Sequence, residues 1–218
     1  MKPAGVLLRA LSAAVAACLA LSAAASSSST REWRFAVSLD GKPIGEHRFV
    51  TRELEDRVEV ISEASFRVRF LFIDAYRYEH RADEVWRGDC LERIDARTND
   101  NGEEIVVSGE RAGRGFRVTT DGVAAGVELC VQTFAYWNPR ILDATRLLNP
   151  QTGEYLPVRV RDLGQDATGD YPGAQHYLLS GGSGNRRLQI DLWYSDAQEW
   201  LALESRTPDG RRLRYSKE

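Results

Sequence analysis

Chemistry in this chain of 218 residues would have to begin at its three histidines, His47, His80 and His176. None has a second histidine at i+4 or the carboxylate box of a zinc enzyme, so spacing gives no metal site. His80 stands apart. Tyr76 and Tyr78 precede it and Glu84 and Trp86 follow it on one side of an alternating run, which sets a titratable ring in an aromatic wall. An enzyme using His80 with Tyr78 or Glu84, such as a hydrolase of lipid or glycan, is one reading of that wall. A hydrogen-bonded interior cluster is the other. Glu79, Asp83 and Glu84 crowd the same stretch, yet acidic residues on a strand are ordinarily solvated and nothing pairs them for acid/base work. Gly181-Gly182-Ser183-Gly184-Asn185 lacks the last glycine of a nucleophile elbow and reads as a hairpin turn. No phosphate-cradling Gly-Lys-Ser/Thr loop or dinucleotide fingerprint occurs. The expectation is no catalytic residue, no metal and no cofactor.

The densest run is Cys130 to Pro139, with Phe134, Tyr136 and Trp137 ahead of Asn138-Pro139, followed by Leu147 to Gly153 with its Asn149-Pro150 step. As a lid over a cavity, Phe134, Tyr136 and Trp137 would touch an apolar ligand while Gln132 or Asn138 orients its polar end. Tyr76, Tyr78, His80 and Trp86 complete the candidate ligand-binding set. The plainer reading is a helix that plugs an open barrel and buries its own core.

Strands must position these groups. Trp33, Phe35, Val37 and Leu39 alternate with polar or small residues, Asp40-Gly41 supplies a turn, and Pro43 to Thr51 returns, predicting an opening hairpin. Val58 to Phe70 keeps one apolar face whose only polar interruption is Ser62. Asp74 to Trp86 carries polar groups on both faces, which suits a curved wall with a partly wet concave side. Cys90 to Arg97, Glu104 to Glu110 and Gly115 to Thr120 continue the series through Asn101-Gly102 and a second Gly-containing turn, and Asp121-Gly122 closes it. Leu129 to Trp137 reads as a central strand. Asn138-Pro139 then looks like a helix cap, with Ile141, Leu142, Thr145 and Leu148 on one helical face. Tyr155 to Arg161 resumes strand character, Asp162 to Gly173 reads as a loop, and alternation returns at Leu188, Ile190, Leu192 and Tyr194. The expected fold is all-β: ten or eleven strands in one curved antiparallel meander or incomplete barrel, with one short helix after the central strand.

Composition agrees with one domain. Hydrophobic residues make up 43%, and 29 basic against 32 acidic side chains give a net charge of −3, which lacks the basic excess of a nucleic-acid binder. Residues 1–25 read as a signal peptide, with Lys2 and Arg9, an Ala- and Leu-rich run, and Ala23, Ala24 and Ala25 before a serine tract. Cleavage there leaves a single domain over 26–218 and takes the net charge from −3 to −5, because Lys2 and Arg9 go with it. Val15-Ala16-Ala17-Cys18 also resembles a lipoprotein box, but Leu19, Ala20 and Leu21 prolong the apolar run beyond the cysteine and favour the discarded reading. No later stretch is long and apolar enough for a transmembrane helix. Cys90 and Cys130 remain, and an even pair in an exported protein is read as one disulfide.

Several of these runs resemble an uncharacterised family of exported bacterial proteins, a domain of unknown function. They are Trp33 to Gly45 with its Leu39-Asp40-Gly41-Lys42-Pro43-Ile44-Gly45 turn, Tyr76 to Trp86, Cys90-Leu91, Thr133 to Pro139 and Leu148 to Gly153. The family supplies no activity to carry over. More loosely, the Gly-Lys-Pro-Ile-Gly turn and the meander look like the curved sheets of periplasmic lipoprotein and lipid carriers, which is fold analogy only. The sequence therefore favours a periplasmic or secreted, non-catalytic protein that binds a lipid-like or amphipathic molecule. An envelope interaction or assembly factor with a closed core is the alternative.

Overall fold

A computed structural model describes residues 28–70, 73–127, 130–167, 169–183 and 186–218. The expected signal peptide and Cys18 lie outside the described residues. Among those described, the strands are β1 (Ser29–Leu39), β2 (Lys42–Glu53), β3 (Val58–Phe70), β4 (Ile73–Arg87), β5 (Cys90–Asp100), β6 (Glu103–Ala112), β7 (Gly115–Thr120), β8 (Val123–Val127), β9 (Arg146–Leu148), β10 (Tyr155–Gln165), β11 (Gln175–Ser183), β12 (Arg186–Tyr194), β13 (Trp200–Arg206) and β14 (Arg212–Lys217). They form one 14-stranded sheet in the order β8-β7-β6-β5-β4-β3-β2-β1-β14-β13-β12-β11-β10-β9.

Local sequence explains the meander. Asp40-Gly41, Asn101-Gly102 and Asp121-Gly122 all have positive φ at both residues, the conformation that reverses a chain between twisted strands in two residues. Alternation then sorts the faces. β1 buries Trp33, Phe35, Val37 and Leu39, and β4 buries Tyr78, His80, Ala82, Glu84 and Trp86 while Arg77, Arg81 and Asp83 stay outside. Outer-face charges pair across strands, as Arg48 does with Glu32 at 2.9 Å and Arg87 with Asp56 at 2.6 Å. Such exposed pairs contribute little stability each.

The topology places β1 near the middle, paired on one side with β2 and on the other with β14. From there β2 to β8 proceed outward in chain order, and β14 back to β9 proceed outward in the other direction. The chain thus leaves the sheet at one edge, β8, and re-enters at the opposite edge, β9. Residues 130–145 make that passage as a strap tied to both sides. The Leu91 amide donates to the Val131 carbonyl, and the Leu148 amide to the Gln132 carbonyl, each at 2.8 Å. Cys90, at the start of β5, is disulfide-bonded to Cys130 across a sequence separation of 40, as expected.

Two apolar clusters fill the interior. One gathers Phe35, Phe49, Leu192, Tyr194, Trp200 and Tyr215 beneath β1, β2 and β12–β14. The other gathers Trp86, Leu91, Ile94, Phe116, Val118 and Val131 beneath β4–β7. Consecutive residues of β9 serve both: Leu147 packs in the first and Leu148 in the second.

Four sequence expectations are corrected. Leu129 lies outside the described residues, and Val131 to Trp137 is not a central strand; its one ladder contact is a parallel bridge from Thr133 to Leu148. The helix is a single 3-10 turn, Pro139–Asp143, capped as foreseen by Asn138, whose Oδ1 accepts from the Arg140 amide at 3.1 Å. Leu148 fits a helical period, but Arg146–Leu148 pairs instead with Tyr155, Leu156 and Pro157, because strand pairing there buries both leucines fully. β10 continues through Asp162 to Gln165, past a register shift at Asp162/Gly164, in what reads as loop. β8 escapes notice because Val123, Ala124, Ala125 and Gly126 are exposed at an edge and need no alternation.

Candidate functional site

The inward positions of β2, β3 and β4 are not uniformly apolar. Register sets Phe49 opposite Ser62, Ser62 opposite Ala82, and Ala64 opposite His80. Ser62 and Ala82 are too short to reach the facing wall, and a cavity of about 280 Å³ lies over them. Leu188, Ile190, Leu203 and Tyr215 of β12–β14 form its opposite side, and Thr133 to Trp137 of the strap cover it. The volume lies just under the usual range for small-molecule pockets.

The strap's own turns aim those cover residues. The Tyr136 amide donates to the Phe134 carbonyl at 3.1 Å and the Asn138 amide to the Ala135 carbonyl at 2.9 Å. The Tyr194 hydroxyl donates to the Tyr136 carbonyl at 2.8 Å, pinning the middle of the strap to β12. Tyr136 packs on Trp200 with ring centroids 5.0 Å apart, and Trp137 meets Trp86 edge-on at 5.7 Å. Beyond β9, the Leu148 to Gly153 run is a tight turn in which the Gly153 amide donates to the Asn149 carbonyl at 2.8 Å. Pro150 and Gln151 of that turn reach the cavity.

A polar row borders this chamber. His47 Nε2 lies 2.8 Å from Ser62 Oγ, and His80 Nδ1 lies 2.9 Å from Thr98 Oγ1. Trp86 Nε1–H donates to Glu84 Oε2 at 2.8 Å, and the Thr133 side chain also bonds the Glu84 carboxyl. Burial penalises every charge here. It lowers His47 to about 3, with help from the like charge of His80, and lowers His80 to about 4. It raises Glu84 to about 7 against the opposing hydrogen bonds of Trp86 and Thr133. Near neutral pH the row therefore comprises two uncharged rings and a carboxyl divided between its two forms. His47 Nδ1 and the Tyr78 hydroxyl are buried without a hydrogen-bond partner among the described residues.

Of the residues singled out in the sequence, His80, Phe134, Tyr136 and Trp137 meet around the cavity. The other five lie away from it. Trp86 sits in the second apolar cluster, Tyr78 stacks on Phe66 at 5.2 Å, and Tyr76 packs at the margin of the first cluster. Asn138 is spent on its cap, and Gln132 Nε2 turns to the Asp89 carbonyl at 3.4 Å. Sequence reasoning left out His47, Ser62 and Thr133 as site residues, and weighed Glu84 only as a catalytic partner of His80. The signals were the lone polar Ser62 in an apolar row and the inward parity of Glu84 with His80. His176 belongs elsewhere: it lies 2.8 Å from Asp191 Oδ1 and stacks on Trp193 at 4.6 Å, while Trp193 Nε1–H donates to Asp166 at 3.0 Å.

Chemically, the arrangement offers a largely apolar chamber whose ionisable hydrogen-bonding groups, His47, His80 and Glu84, stand on the wall made by β2 and β4. No three His, Cys, Asp or Glu side chains converge for a metal among the described residues. No helix among them is long and apolar enough to cross a membrane.

The fold has a solved counterpart. A crystal structure of a beta-barrel-like protein of the domain of unknown function DUF1849, from Brucella abortus, is similar over 86% of this chain and 94% of that one, with a TM-score of 0.58 and 9% sequence identity. At that identity the likeness concerns the fold alone. No curated protein matches the sequence. Residues 35–218 match a family described only as a domain of unknown function, and the chain belongs to that family, DUF6134.

Proposed function

We propose that this is an exported, non-catalytic protein that binds a small amphipathic molecule on the inner face of its sheet. The observation that carries the reading is the strap-covered cavity of about 280 Å³, mostly apolar along β12–β14, where Ser205 is the exception, and bordered by His47, His80 and Glu84 on the other side. Ser62 and Ala82 are among the smallest residues of the lining, and larger side chains there would take up part of that room. Export is supported by the Lys2-to-Ala25 segment and by a disulfide of the kind oxidising compartments maintain.

Native mass spectrometry of gently purified protein, followed by solvent extraction, tests binding. A co-purifying small molecule, or saturable quenching of tryptophan fluorescence by added 1-octanol, is the expected result. Ligand-free protein with no saturable response would overturn the reading. A second reading, an envelope assembly factor, is favoured by one feature: among the described residues β8 pairs with β7 alone, and it exposes Val123 to 75%. Unpaired edges of this kind recruit strands from other chains. Crosslinking from Val123 into an envelope protein, undiminished when the cavity is filled by Ala82→Leu, would support it over ligand binding.

A further inference from the structure

We infer that the cavity selects an uncharged hydroxyl head and rejects the anionic head of a carboxylate or phosphate. This rests on the binding reading and adds the class of ligand. The first ground is the charge of the lining: Glu84 borders the cavity, and no lysine or arginine does so among the described residues. On the neighbouring strands β2 and β4, Arg48 and Arg81 stand on the outer face in pairs with Glu32, Glu63 and Asp83. An anion entering the cavity would lose its water without meeting a cation, and would also face a buried carboxyl.

The second ground is the unfinished hydrogen bonding. His47, already held through Nε2 by Ser62, keeps a buried Nδ1 without a partner. If Ser62 takes the Nε2 proton, Nδ1 is a bare acceptor; if Ser62 donates, Nδ1 carries an unused N–H. A hydroxyl both donates and accepts, so it can donate to Glu84 when ionised or accept from it when protonated, and a turn of the His47 ring toward the cavity it lines would let it complete either tautomer. A carboxylate only accepts. The other titratable groups bordering the cavity do not change the balance. His47 and His80 are uncharged at neutral pH because burial lowers both, and Tyr136 and Tyr215 are uncharged because burial raises both.

The experiment compares 1-octanol with octanoate, which share a chain and differ in the head, by tryptophan fluorescence and calorimetry on the whole chain. At about pH 8 octanol is expected to bind at least about tenfold tighter. The gap should narrow toward about pH 6 as Glu84 takes up a proton. Glu84→Gln should narrow the gap at about pH 8 by strengthening octanoate binding, and the wild-type pH series reads the same effect if that variant does not fold. Octanoate binding as tightly as octanol at about pH 8 would overturn the selectivity while leaving the binding reading intact. Failure of both probes to bind would overturn both.

Discussion

Two inward positions of β4, Glu84 and Trp86, are two residues apart and both buried, yet they belong to opposite regions. Trp86 packs with Leu91, Phe116 and Val131, under the part of the strap that the disulfide fastens. Glu84 opens onto the cavity with His47 and His80 in the same border. The first region closes the gap between the two sheet edges with apolar contacts. The second leaves apolar volume unfilled and holds three ionisable groups away from water, each at a cost to stability. The difference teaches that the dry seam supplies the margin on which the polar cavity depends.

The largest expected effect is in the seam. Trp86→Ala should cost about 3–5 kcal/mol, read from the midpoint of denaturant unfolding. A loss under about 1 kcal/mol would mean the seam is not packed as described. Next comes the disulfide. Replacing both Cys90 and Cys130 with serine should cost about 3–4 kcal/mol, because the bridge restrains a long loop in the unfolded chain. Here the informative failure would be wild-type stability in the double variant.

In the cavity region the signs reverse. Glu84 titrates near 4.5 in the unfolded chain and near 7 when folded. Between those values the native state holds the extra proton, so stability falls as pH rises and the full penalty stands above about 7. His47 and His80 run the other way. Their folded values of about 3 and 4 lie below the ordinary 6.5, so stability is lost as pH falls below 6.5. The three groups together place their best pH near 6.5. Glu84→Gln should therefore stabilise the protein by ~3 kcal/mol at about pH 8 and change little at about pH 4. Parallel stability profiles for the two proteins would refute this account of Glu84.

Much of the frame could be read from one-dimensional pattern. The Asp40-Gly41 turn and the alternation of β1, β3 and β4 are local, and so is the inward parity of His80, Glu84 and Trp86. The Asn138 cap is local too. What could not be read is set by distant pairing. Arg146–Leu148 has a helical period but is drawn into β9 by Tyr155–Pro157, and the aromatic run of the strap has strand-like composition without a strand neighbour. The cavity was half legible. Its aromatic cover stood out, whereas His47 and Ser62 meet His80 only through the register of β2, β3 and β4.

The smallest effect tests how the free edges meet, and it explains the Leu148 to Gly153 run. Gly153 has φ +71, and a Cβ there would stand 1.8 Å from Thr120 Oγ1 at the end of β7. The turn after β9 therefore lies against the far half of the sheet, and only a residue without a side chain permits that approach. Gly41 has a similar φ of +77 with nothing within 4 Å of a built Cβ, so it isolates the backbone cost from the contact cost. Gly41→Ala should lose about 1 kcal/mol from φ alone, and Gly153→Ala about 1–3 kcal/mol from φ plus the clash. Adding Thr120→Ala removes Oγ1, the atom in the severe clash, and should recover most of the excess in Gly153→Ala while leaving Gly41→Ala unchanged. If the two glycine variants lose the same amount and Thr120→Ala rescues neither, the sheet edges are not in contact at this point, and the seam is held by the strap and disulfide alone.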